Sequence, residues 1–452
     1  MNLNQYKNIY FIGIGGIGMS ALARYFNNKE VNIFGYDRTS SDLCLQLEQE
    51  GMRIHYTEEI NDLFSKEDTL IVYTPAIPES NLELTHFRKD NYTILKRSEL
   101  LGKITENHFT IAVAGTHGKT TTSTMISHIL HNSDIDTTAF LGGISSNYNS
   151  NVILGSENSI VVVEADEFDK SFLTLNPDIA IITSVDADHL DIYGTKENLL
   201  STFTRFTDNI KSGGTLFLEE NIDSTLVCRE DIKLIKYSTK SKTNCTANNL
   251  QIKNNSISFD VKLMEKNITG FCLNMGGEYN VSNALAAISV SNLLDLDKDK
   301  IKEGVSSFKG IRRRFETQIS NKNIVFIDDY AHHPKEISES ITAVKQMYPN
   351  REVTVVFQPH LYSRTSDFMD EFASSLSLAD NLLLLEIYAA REQKINGVSS
   401  SVLLEKCKNN QKELTDLISV VDVVQKKNID VLLTLGAGDI STIVEPLKNI
   451  LS

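Results

Sequence analysis

The chain has 452 residues, 41% of them hydrophobic, and a formal net charge of −15 at pH 7. This length exceeds what one hydrophobic core organises, so we predict two or three domains. The negative charge disfavours wrapping nucleic acid or lying on anionic lipid, and we expect neither nucleic acid nor a membrane as a partner. Five scattered cysteines without Cys-x-x-Cys spacing, and the lack of an apolar run long enough to cross a bilayer, predict a cytoplasmic protein with reduced thiols.

The order of the elements predicts an α/β fold. Short apolar runs of strand type alternate with helix-length amphipathic stretches, a pattern typical of parallel sheets covered by helices on both faces. We predict three domains: a Rossmann-like N-terminal domain over 1–107, a central P-loop ATPase-like domain over 108–311 and a Rossmann-like C-terminal domain over 312–452. Between about residues 215 and 274 the segments are short and alternating, which predicts antiparallel strands in a small insertion or edge.

The first unit begins with a glycine-rich turn between a strand and a helix. The apolar run 9–14 leads into G-x-G-x-x-G at Gly13, Gly15 and Gly18, and Asp37 ends the next strand. This arrangement suits a diphosphate over a helix N-terminus and a ribose beside an acid. The loop therefore predicts either NAD or a UDP-sugar as the ligand.

The second unit begins with the most informative motif in the chain. A strand over 111–114 runs into Gly115-Thr-His-Gly118, after which Lys119 and three threonines begin a helix. Backbone amides freed by the glycines, the helix N-terminus and the Lys119 ammonium can all meet the phosphates of a nucleoside triphosphate. A threonine hydroxyl of the same turn can bind Mg²⁺. The loop is a shortened P-loop, because the general pattern needs glycine where the chain has Val113.

Two acidic motifs follow apolar strands of the same unit. Glu164-Ala-Asp-Glu-Phe-Asp169 closes one strand, and Asp186-Ala-Asp-His189 follows another. The carboxyl ends of parallel strands meet at one edge of a sheet, where the sites of such sheets lie. We expect Glu164 and His189 to bind the Mg²⁺ of a nucleotide complex, and an acidic loop facing solvent is the alternative for either motif taken singly.

The third unit carries basic and imidazole side chains after its strands. Asp328-Asp-Tyr-Ala-His-His-Pro334 follows one predicted strand, and Phe357-Gln-Pro-His-Leu-Tyr-Ser-Arg-Thr365 follows another. Their histidines and Arg364 can bind a carboxylate or a phosphate, whereas zinc at the His-His pair lacks a third ligand with suitable spacing. The run Arg312 to Arg314 is either a solvated charge run or the origin of one guanidinium that reaches the γ-phosphate.

With these motifs in order, the chain resembles the Mur ligase family over essentially its whole length. The matching stretches are Gly13-Ile-Gly-Gly-Ile-Gly-Met-Ser20, Gly115-Thr-His-Gly-Lys-Thr-Thr-Thr122, Glu164-Ala-Asp-Glu167, Ala187-Asp-His-Leu190, Glu278-Tyr-Asn-Val-Ser-Asn283, Arg313-Arg-Phe315, Asp329-Tyr-Ala-His-His-Pro334, Phe357-Gln-Pro-His360, Tyr362-Ser-Arg364 and Gly436-Ala-Gly-Asp-Ile440. The resemblance implies three domains, which bind a UDP-sugar, ATP and an incoming amino acid.

The resemblance also implies roles for individual residues. ATP would be bound by Gly115, Thr116, His117, Gly118, Lys119, Thr120, Thr121, Asn280, Asn283, Arg314 and Asp329. Mg²⁺ would be bound by Thr120, Glu164 and His189, and the catalytic residues would be Lys119, Glu164, His189 and Arg314. The UDP-sugar would be bound by Gly13, Gly15, Gly16, Gly18, Met19 and Asp37. The amino acid would be bound by His333, His360 and Arg364.

Within the family, the chain looks most similar to the alanine-adding branch. That likeness implies an ATP-dependent ligase that joins L-alanine to the lactyl carboxylate of UDP-N-acetylmuramate through an acyl phosphate, and we expect a monomer or weak homodimer. Phe203 stands where glutamate- and diamino-acid-adding relatives have a lysine that becomes carbamylated, which fits this branch. Leu361 and Tyr279 depart from the family pattern, which commonly has a basic residue and a histidine at these positions.

Three other functions are alternatives. The murein peptide ligase branch attaches a recycled tripeptide to the same sugar nucleotide with the same machinery. An NAD-dependent oxidoreductase would explain the first glycine loop but not the phosphate loop. A P-loop switch would bind or hydrolyse nucleotide without joining two substrates.

Overall fold

The computed structural model of the protein describes residues 2–60, 64–186, 193–223, 225–226, 228–253, 256–390 and 392–452. By its internal contacts the chain forms two compact units. The first consists of residues 1–248, 260–271 and 282–308, and the second of residues 249–259, 272–281 and 309–452. The predicted domain limits near residues 107 and 311 stay predictions.

The first sheet is the five-stranded parallel sheet of a Rossmann-like fold. Its strands are β1 Asn8–Ile12, β2 Asn32–Tyr36, β3 Arg53–His55, β4 Thr69–Tyr73 and β5 Thr93–Lys96. They lie in the order β3-β2-β1-β4-β5, which places the switch point of the sheet between β1 and β4. The helices of this region are α1 Ile17–Asn27, α2 Asp42–Gln49, α3 Leu82–Lys89 and α4 Arg97–Thr105, after a 3₁₀ turn at Leu3–Gln5.

The second sheet has a parallel centre of buried strands. Its strands are β6 Thr110–Ala114, β7 Thr137–Ser145, β8 Ser150–Ile153, β9 Ile160–Glu164, β10 Ile179–Ile182, β11 Thr215–Glu219, β12 Lys233–Ser238, β13 Cys245–Lys253, β14 Ser256–Leu263 and β15 Lys266–Leu273. The order is β15-β14-β13-β12-β11-β10-β6-β9-β7-β8. The helices are α5 Lys119–Asn132, α6 Lys196–Asp208, α7 Glu278–Leu293 and α8 Lys298–Ser307, with a 3₁₀ segment at Phe168–Thr174.

The prediction of antiparallel strands between about residues 215 and 274 was wrong for the first strands of that stretch. We expected antiparallel strands from about residue 215 onwards, but β11 pairs parallel with β10, and β12 pairs parallel with β11. The physical reason lies in β11, whose residues Thr215 to Leu218 are all buried. Burial on both faces is typical of a parallel strand between helical layers, and it removes the polar alternation of an exposed antiparallel strand.

The third sheet is again doubly wound and Rossmann-like. Its strands are β16 Glu316–Ser320, β17 Val325–Asp329, β18 Val353–Phe357, β19 Asn381–Leu384, β20 Gln411–Leu414 and β21 Val431–Leu435. They lie in the order β16-β17-β21-β18-β19-β20, and β16 is antiparallel to β17 whereas the others pair parallel. The helices are α9 Pro334–Met347, α10 Tyr362–Asp367, α11 Met369–Leu376, α12 Ser400–Lys406, α13 Val420–Gln425 and α14 Val444–Leu451, with a 3₁₀ turn at Asp439–Ile443. Separate apolar clusters cover its two faces.

Side chains at the N-cap position determine where several helices begin. Side chains accept a backbone N–H in the first turn of the following helix at Ser41, Asn81, Thr195, Asp297 and Ser399. Such caps satisfy amides that the helix itself leaves without acceptors. Within the described ranges, no helix is both long and apolar enough to cross a membrane.

Candidate active site

The phosphate loop connects the buried strand β6 to α5. Gly115 and Gly118 have φ angles of 133° and 80°, in the region that favours glycine. A Cβ on Gly118 would lie 2.5 Å from Asn283 Oδ1, and a Cβ on Gly115 would clash with Thr183 Oγ1. The loop therefore requires glycine for both backbone angle and space. Gly118 is the N-cap of α5, so the amides of the first helical turn are available to a phosphate.

The end of β10 holds this loop in place. Ser184 Oγ accepts the His117 N–H at 2.8 Å and lies 3.0 Å from Thr116 Oγ1. Thr116 Oγ1 in turn accepts the Asp186 N–H at 3.0 Å, and His117 Nε2 lies 3.6 Å from Asp186 Oδ2. Ser184 did not appear among the predicted site residues, since its contact depends on the pairing of β10 with β6.

Lys119 lies inside the loop and is paired with a buried carboxylate. Its Nζ donates to Gly115 O at 2.7 Å and lies 2.9 Å and 2.8 Å from the two oxygens of Glu167. The Lys119 side chain is 13% exposed and that of Glu167 is 0% exposed. Burial by itself lowers the pKa of Lys119, but the carboxylates of Glu167, Asp166 and Glu164 outweigh burial and raise the pKa to about 12. The ammonium is therefore a permanent cation.

Glu167 makes a contact with Lys119 that the sequence did not reveal. It belongs to the acidic motif that we assigned to Mg²⁺, yet its carboxylate binds Lys119. Its backbone carbonyl accepts a hydrogen bond from the buried Tyr193 hydroxyl at 2.6 Å, which fixes the start of the 3₁₀ segment. The adjacency of β9 and β6 brings the motif to the loop.

The predicted Mg²⁺ ligands are described only in part. Thr120 lies buried in the first turn of α5, and Glu164 ends β9. Glu164 faces β7, because a Cβ on Gly142 would clash with its Oε2. His189 lies outside the described residues. Hydroxyl and carboxylate oxygens at one sheet edge are the donors that Mg²⁺ prefers, so the residues present fit this ion.

The two predicted asparagines make different contacts. Asn283 Oδ1 accepts a hydrogen bond from Thr122 Oγ1 at 3.2 Å and borders Gly118 of the loop. Asn280 belongs to the second unit, is 1% exposed, and donates from Nδ2 to Gly276 O at 2.7 Å. Thr121 is buried in the first turn of α5. Asn283 and Thr121 thus lie with the phosphate loop.

The glycine loop of the first sheet has a carboxylate at its centre. Asp37 Oδ2 accepts the Gly15 N–H at 2.9 Å, and a Cβ on Gly15 would lie 2.5 Å from Cys44 Sγ. Gly13 precedes this turn, Gly16 is the N-cap of α1, and Gly18 lies in the first turn of the helix. Met19 is 1% exposed, and its side chain packs in the hydrophobic core; its predicted contact with the UDP-sugar stays a prediction.

Arginine and aspartate pair at the carboxyl edge of the third sheet. Arg313 Nε lies 3.2 Å from the buried Asp328, and Arg313 Nη2 donates to Gly436 O at 2.7 Å. The guanidinium of Arg314 lies 5.0 Å from the centre of the Tyr330 ring. Burial raises the pKa of Asp329 to about 6, although a hydrogen bond from Ser340 and the charge of Arg314 oppose that rise. Arg313 and Arg314 are thus fixed by contacts at the sheet, whereas Arg312 is exposed.

Two histidines and an arginine form a second cluster at this edge, which we call the imidazole cluster: His332, His360 and Arg364. The rings of His332 and His360 are 6.0 Å apart, and Arg364 Nη1 lies 3.4 Å from His360 Nδ1. Burial lowers the pKa of each histidine to about 4, and the Arg364 charge adds to the effect. The predicted His333 packs its ring against Phe368 at 4.9 Å instead.

Tyr388 completes the imidazole cluster. Its ring stacks on that of His360 with centres 5.6 Å apart and an interplanar angle of 19°. Its carbonyl accepts the Leu361 N–H at 2.9 Å, which fixes a residue with a φ of 71°. No sequence signal pointed to Tyr388, because the contact depends on a loop after β19.

Family models match nearly the whole chain. The Mur ligase family catalytic domain matches residues 8–109, the Mur ligase middle domain matches residues 113–291, and the Mur ligase glutamate ligase domain matches residues 313–438.

Full-length relatives agree with these matches. UDP-N-acetylmuramate–L-alanine ligase of Phocaeicola vulgatus is 45% identical, with 100% of both chains covered. The protein of the same name from Parabacteroides distasonis is 46% identical, covering 100% of this chain and 98% of the relative. The solved structure of UDP-N-acetylmuramate-alanine ligase MurC from Thermotoga maritima has a TM-score of 0.83 at 28% identity and covers 98% of each chain.

Proposed function

The chain belongs to the Mur ligase family, and from this premise we propose how its residues join L-alanine to UDP-N-acetylmuramate in peptidoglycan precursor synthesis. The reaction consumes ATP and yields ADP, phosphate and an amide. The single observation that carries the proposal is the buried Lys119, held by Glu167 inside a loop that admits only glycine at two positions. A desolvated, permanently charged ammonium beside free helix amides suits the terminal phosphates of ATP.

ATP would occupy the loop from Gly115 to Thr121. Lys119 has three N–H donors, and Gly115 O and Glu167 engage two directions of the ammonium. A further donor direction is left for a phosphate oxygen. Asn280, Asn283, Arg314 and Asp329 stay proposed contacts of the nucleotide.

We propose Mg²⁺ as the cofactor, with Thr120, Glu164 and His189 as the residues that would hold it. When bound, the ion would offset part of the charge on the phosphates. Lys119 would supply a fixed positive charge regardless of the ion, and Arg314 is the proposed second cation at the transferring phosphoryl group.

The chemistry follows from the poor electrophilicity of a carboxylate. An oxygen of the lactyl carboxylate attacks the γ-phosphorus of ATP, the bond to the β-phosphate oxygen breaks, and ADP leaves. The product is an acyl phosphate, which the amine of L-alanine attacks at the carbonyl carbon. Phosphate then departs and the amine proton passes to a base. Exclusion of water would protect the acyl phosphate from hydrolysis.

L-Alanine would bind at the imidazole cluster. Because both histidines are neutral at pH 7, Arg364 is the cation of this cluster and would bind the carboxylate of the amino acid. His360, within 3.4 Å of Arg364, would orient that guanidinium. His333 stays a proposed contact, and its packing on Phe368 favours a supporting position.

The sugar nucleotide would bind at the glycine loop of the first sheet, from Gly13 to Gly18, with Asp37 beside it. We further propose that the protein acts in the cytoplasm, as a monomer or weak homodimer, without nucleic acid or membrane partners.

The test is phosphate release from MgATP and UDP-N-acetylmuramate, comparing L-alanine with the L-Ala-γ-D-Glu-diamino-acid tripeptide. We expect release that requires both the sugar nucleotide and L-alanine. Release with the tripeptide alone would move the protein to the recycling branch of the family. Release indifferent to both amine substrates would remove the ligase assignment.

A further inference from the structure

Arg97 lies between the glycine loop of the first sheet and the acidic motif of the second. It begins α4, directly after the edge strand β5. Its side chain lies against the first turn of α1, because a Cβ on Gly18 would be 3.0 Å from Arg97 Cδ and 3.1 Å from Nη1. On its other side, Nη2 lies 4.0 Å from Asp166 Oδ2.

The Arg97 guanidinium is mostly buried and weakly paired. Its side chain is 19% exposed, whereas Asp166 is 40% exposed and stands at the outer limit of an ion pair. Across the ranges that the structure describes, the Arg97 side chain makes no hydrogen bond. A guanidinium with so little exposed surface, and with a distant carboxylate as its ion-pair partner, keeps N–H donors available for a further acceptor. The position therefore suits an anion that comes from outside the chain.

Neighbouring contacts hold this arginine in place. Thr174 Oγ1 donates to Ser98 O at 2.9 Å, and a Cβ on Gly102 would lie 2.6 Å from Thr174 O. Helix α4 thus packs closely on the 3₁₀ segment that follows the acidic motif. The backbone that carries Arg97 is therefore held against this segment and needs no rearrangement when a ligand binds.

We propose that Arg97 binds the diphosphate of the sugar nucleotide and sets the protein's preference for a nucleoside diphosphate over a monophosphate. This assignment rests on the proposed function. The Gly15 N–H is already used by Asp37, whose carboxylate adds negative charge beside the loop. A diphosphate there needs a compensating cation, and a planar guanidinium matches phosphate oxygens in pairs.

The experiment is calorimetric titration of the full-length protein with UDP, UMP, UDP-N-acetylmuramate and ATP. The variants are Arg97→Gln, Arg97→Lys and, as a matched control, Lys96→Gln, which removes the adjacent cation with a 43% exposed side chain. We expect Arg97→Gln to weaken UDP and UDP-N-acetylmuramate by about 10- to 100-fold and UMP by less than about 3-fold. The affinity losses of Arg97→Lys should lie between those of the wild type and those of Arg97→Gln. ATP binding should be unchanged in every variant, and Lys96→Gln should bind all four ligands as the wild type does.

Three results would overturn the assignment. Equal losses for UDP and UMP would mean general distortion of the loop. A loss for UDP-N-acetylmuramate without one for UDP would place the guanidinium on the sugar acid instead. Unchanged affinities in Arg97→Gln would mean that Arg97 does not contact the sugar nucleotide. Should Arg97→Gln fail to fold, as judged by thermal melting, Arg97→Lys decides by the same comparison.

Failure of the proposed function would look different. A wild-type protein that binds UDP more tightly than UMP, through Arg97, but releases no phosphate with L-alanine would retain the Arg97 assignment and lose the ligase assignment.

Discussion

Two clusters of buried ionisable groups differ in protonation: the lysine of one is charged, whereas the histidines of the other are neutral. Lys119 has carboxylates as neighbours, and its pKa rises to about 12 despite burial. His332 and His360 have each other and Arg364 as neighbours, and the carboxylates of Glu336 and Glu392 do not outweigh burial, so the pKa of each falls to about 4. The comparison teaches that burial alone does not set protonation; the balance of the neighbouring charges decides whether the effect of burial is outweighed.

The difference matches the two ligands proposed for these clusters. A permanent cation beside helix amides suits a polyphosphate with several negative charges. A single guanidinium among neutral imidazoles suits an amino acid, which carries one carboxylate and must present an uncharged amine for attack. Each of the following changes breaks or sharpens this contrast.

The largest effect is expected from removing the cation of the first cluster. Lys119→Ala should lower turnover by about 1,000-fold or more, because the charge developing on the phosphoryl group loses its fixed counter-charge. The matched control is Lys300→Ala, which removes a 47% exposed lysine paired with Glu303 at 3.8 Å. Steady-state phosphate release measures both variants, and circular dichroism checks the fold. Near-normal turnover in Lys119→Ala would refute its role.

Removing the charge of its partner should have the next largest effect. Glu167→Gln leaves a buried ammonium without its carboxylate, so we expect kcat to fall by about 10- to 100-fold and the free energy of unfolding to fall by about 3 kcal/mol. The exposed ion pair of Lys300 and Glu303 gives the matched control. Glu303→Gln breaks this pair, which is worth about 0–1 kcal/mol. Urea denaturation and initial rates report the two effects. A Glu167→Gln variant as stable and active as Glu303→Gln would show that the buried pair has no special function.

The third change tests the guanidinium of the imidazole cluster. Arg364→Gln should raise the KM for L-alanine by about 10-fold while leaving the KM for ATP within about 2-fold. Arg205→Gln, on the exposed face of α6, serves as the control. Initial rates at varied concentrations of each substrate separate the constants. A rise in the KM for ATP instead would assign Arg364 to the nucleotide.

The smallest effect concerns stability against pH. The pKa of His332 and His360 is about 4 in the folded protein, against 6.5 for an ordinary histidine, so the unfolded chain binds more protons in this window. The stability that these two neutral histidines contribute is therefore fully present above pH 6.5 and is lost as the pH falls towards 4. We expect the free energy of unfolding to fall by about 1 kcal/mol per histidine as the pH falls from 6.5 to 5.

Chemical denaturation at several pH values measures this dependence. His332→Gln and His360→Gln should each flatten the curve between pH 6.5 and 5. An unchanged slope in both variants would mean that other groups control the acid sensitivity.

Much of the fold was predictable because short stretches of sequence encode many of its strands and loops. Strands such as β6 and β18 are continuous apolar runs, and the glycine-lysine-threonine loop encodes its own backbone angles and its cation. The prediction for residues 215–219 failed because burial on both faces depends on which strands lie beside β11. A short apolar run does not identify its neighbours.

The sequence by itself determined the α/β class and the family, and it predicted Lys119, Gly115 and Gly118 as the centre of a nucleotide site. Only the tertiary structure decided the partners: Glu167 for Lys119, Ser184 for the loop, and Arg97 beside Gly18. It also placed His332 instead of His333 beside His360, and it buried Met19 in the core. The physical reason is that a motif specifies donors and backbone angles over a few residues, whereas the neighbour of a side chain depends on strand order and register across more distant parts of the chain.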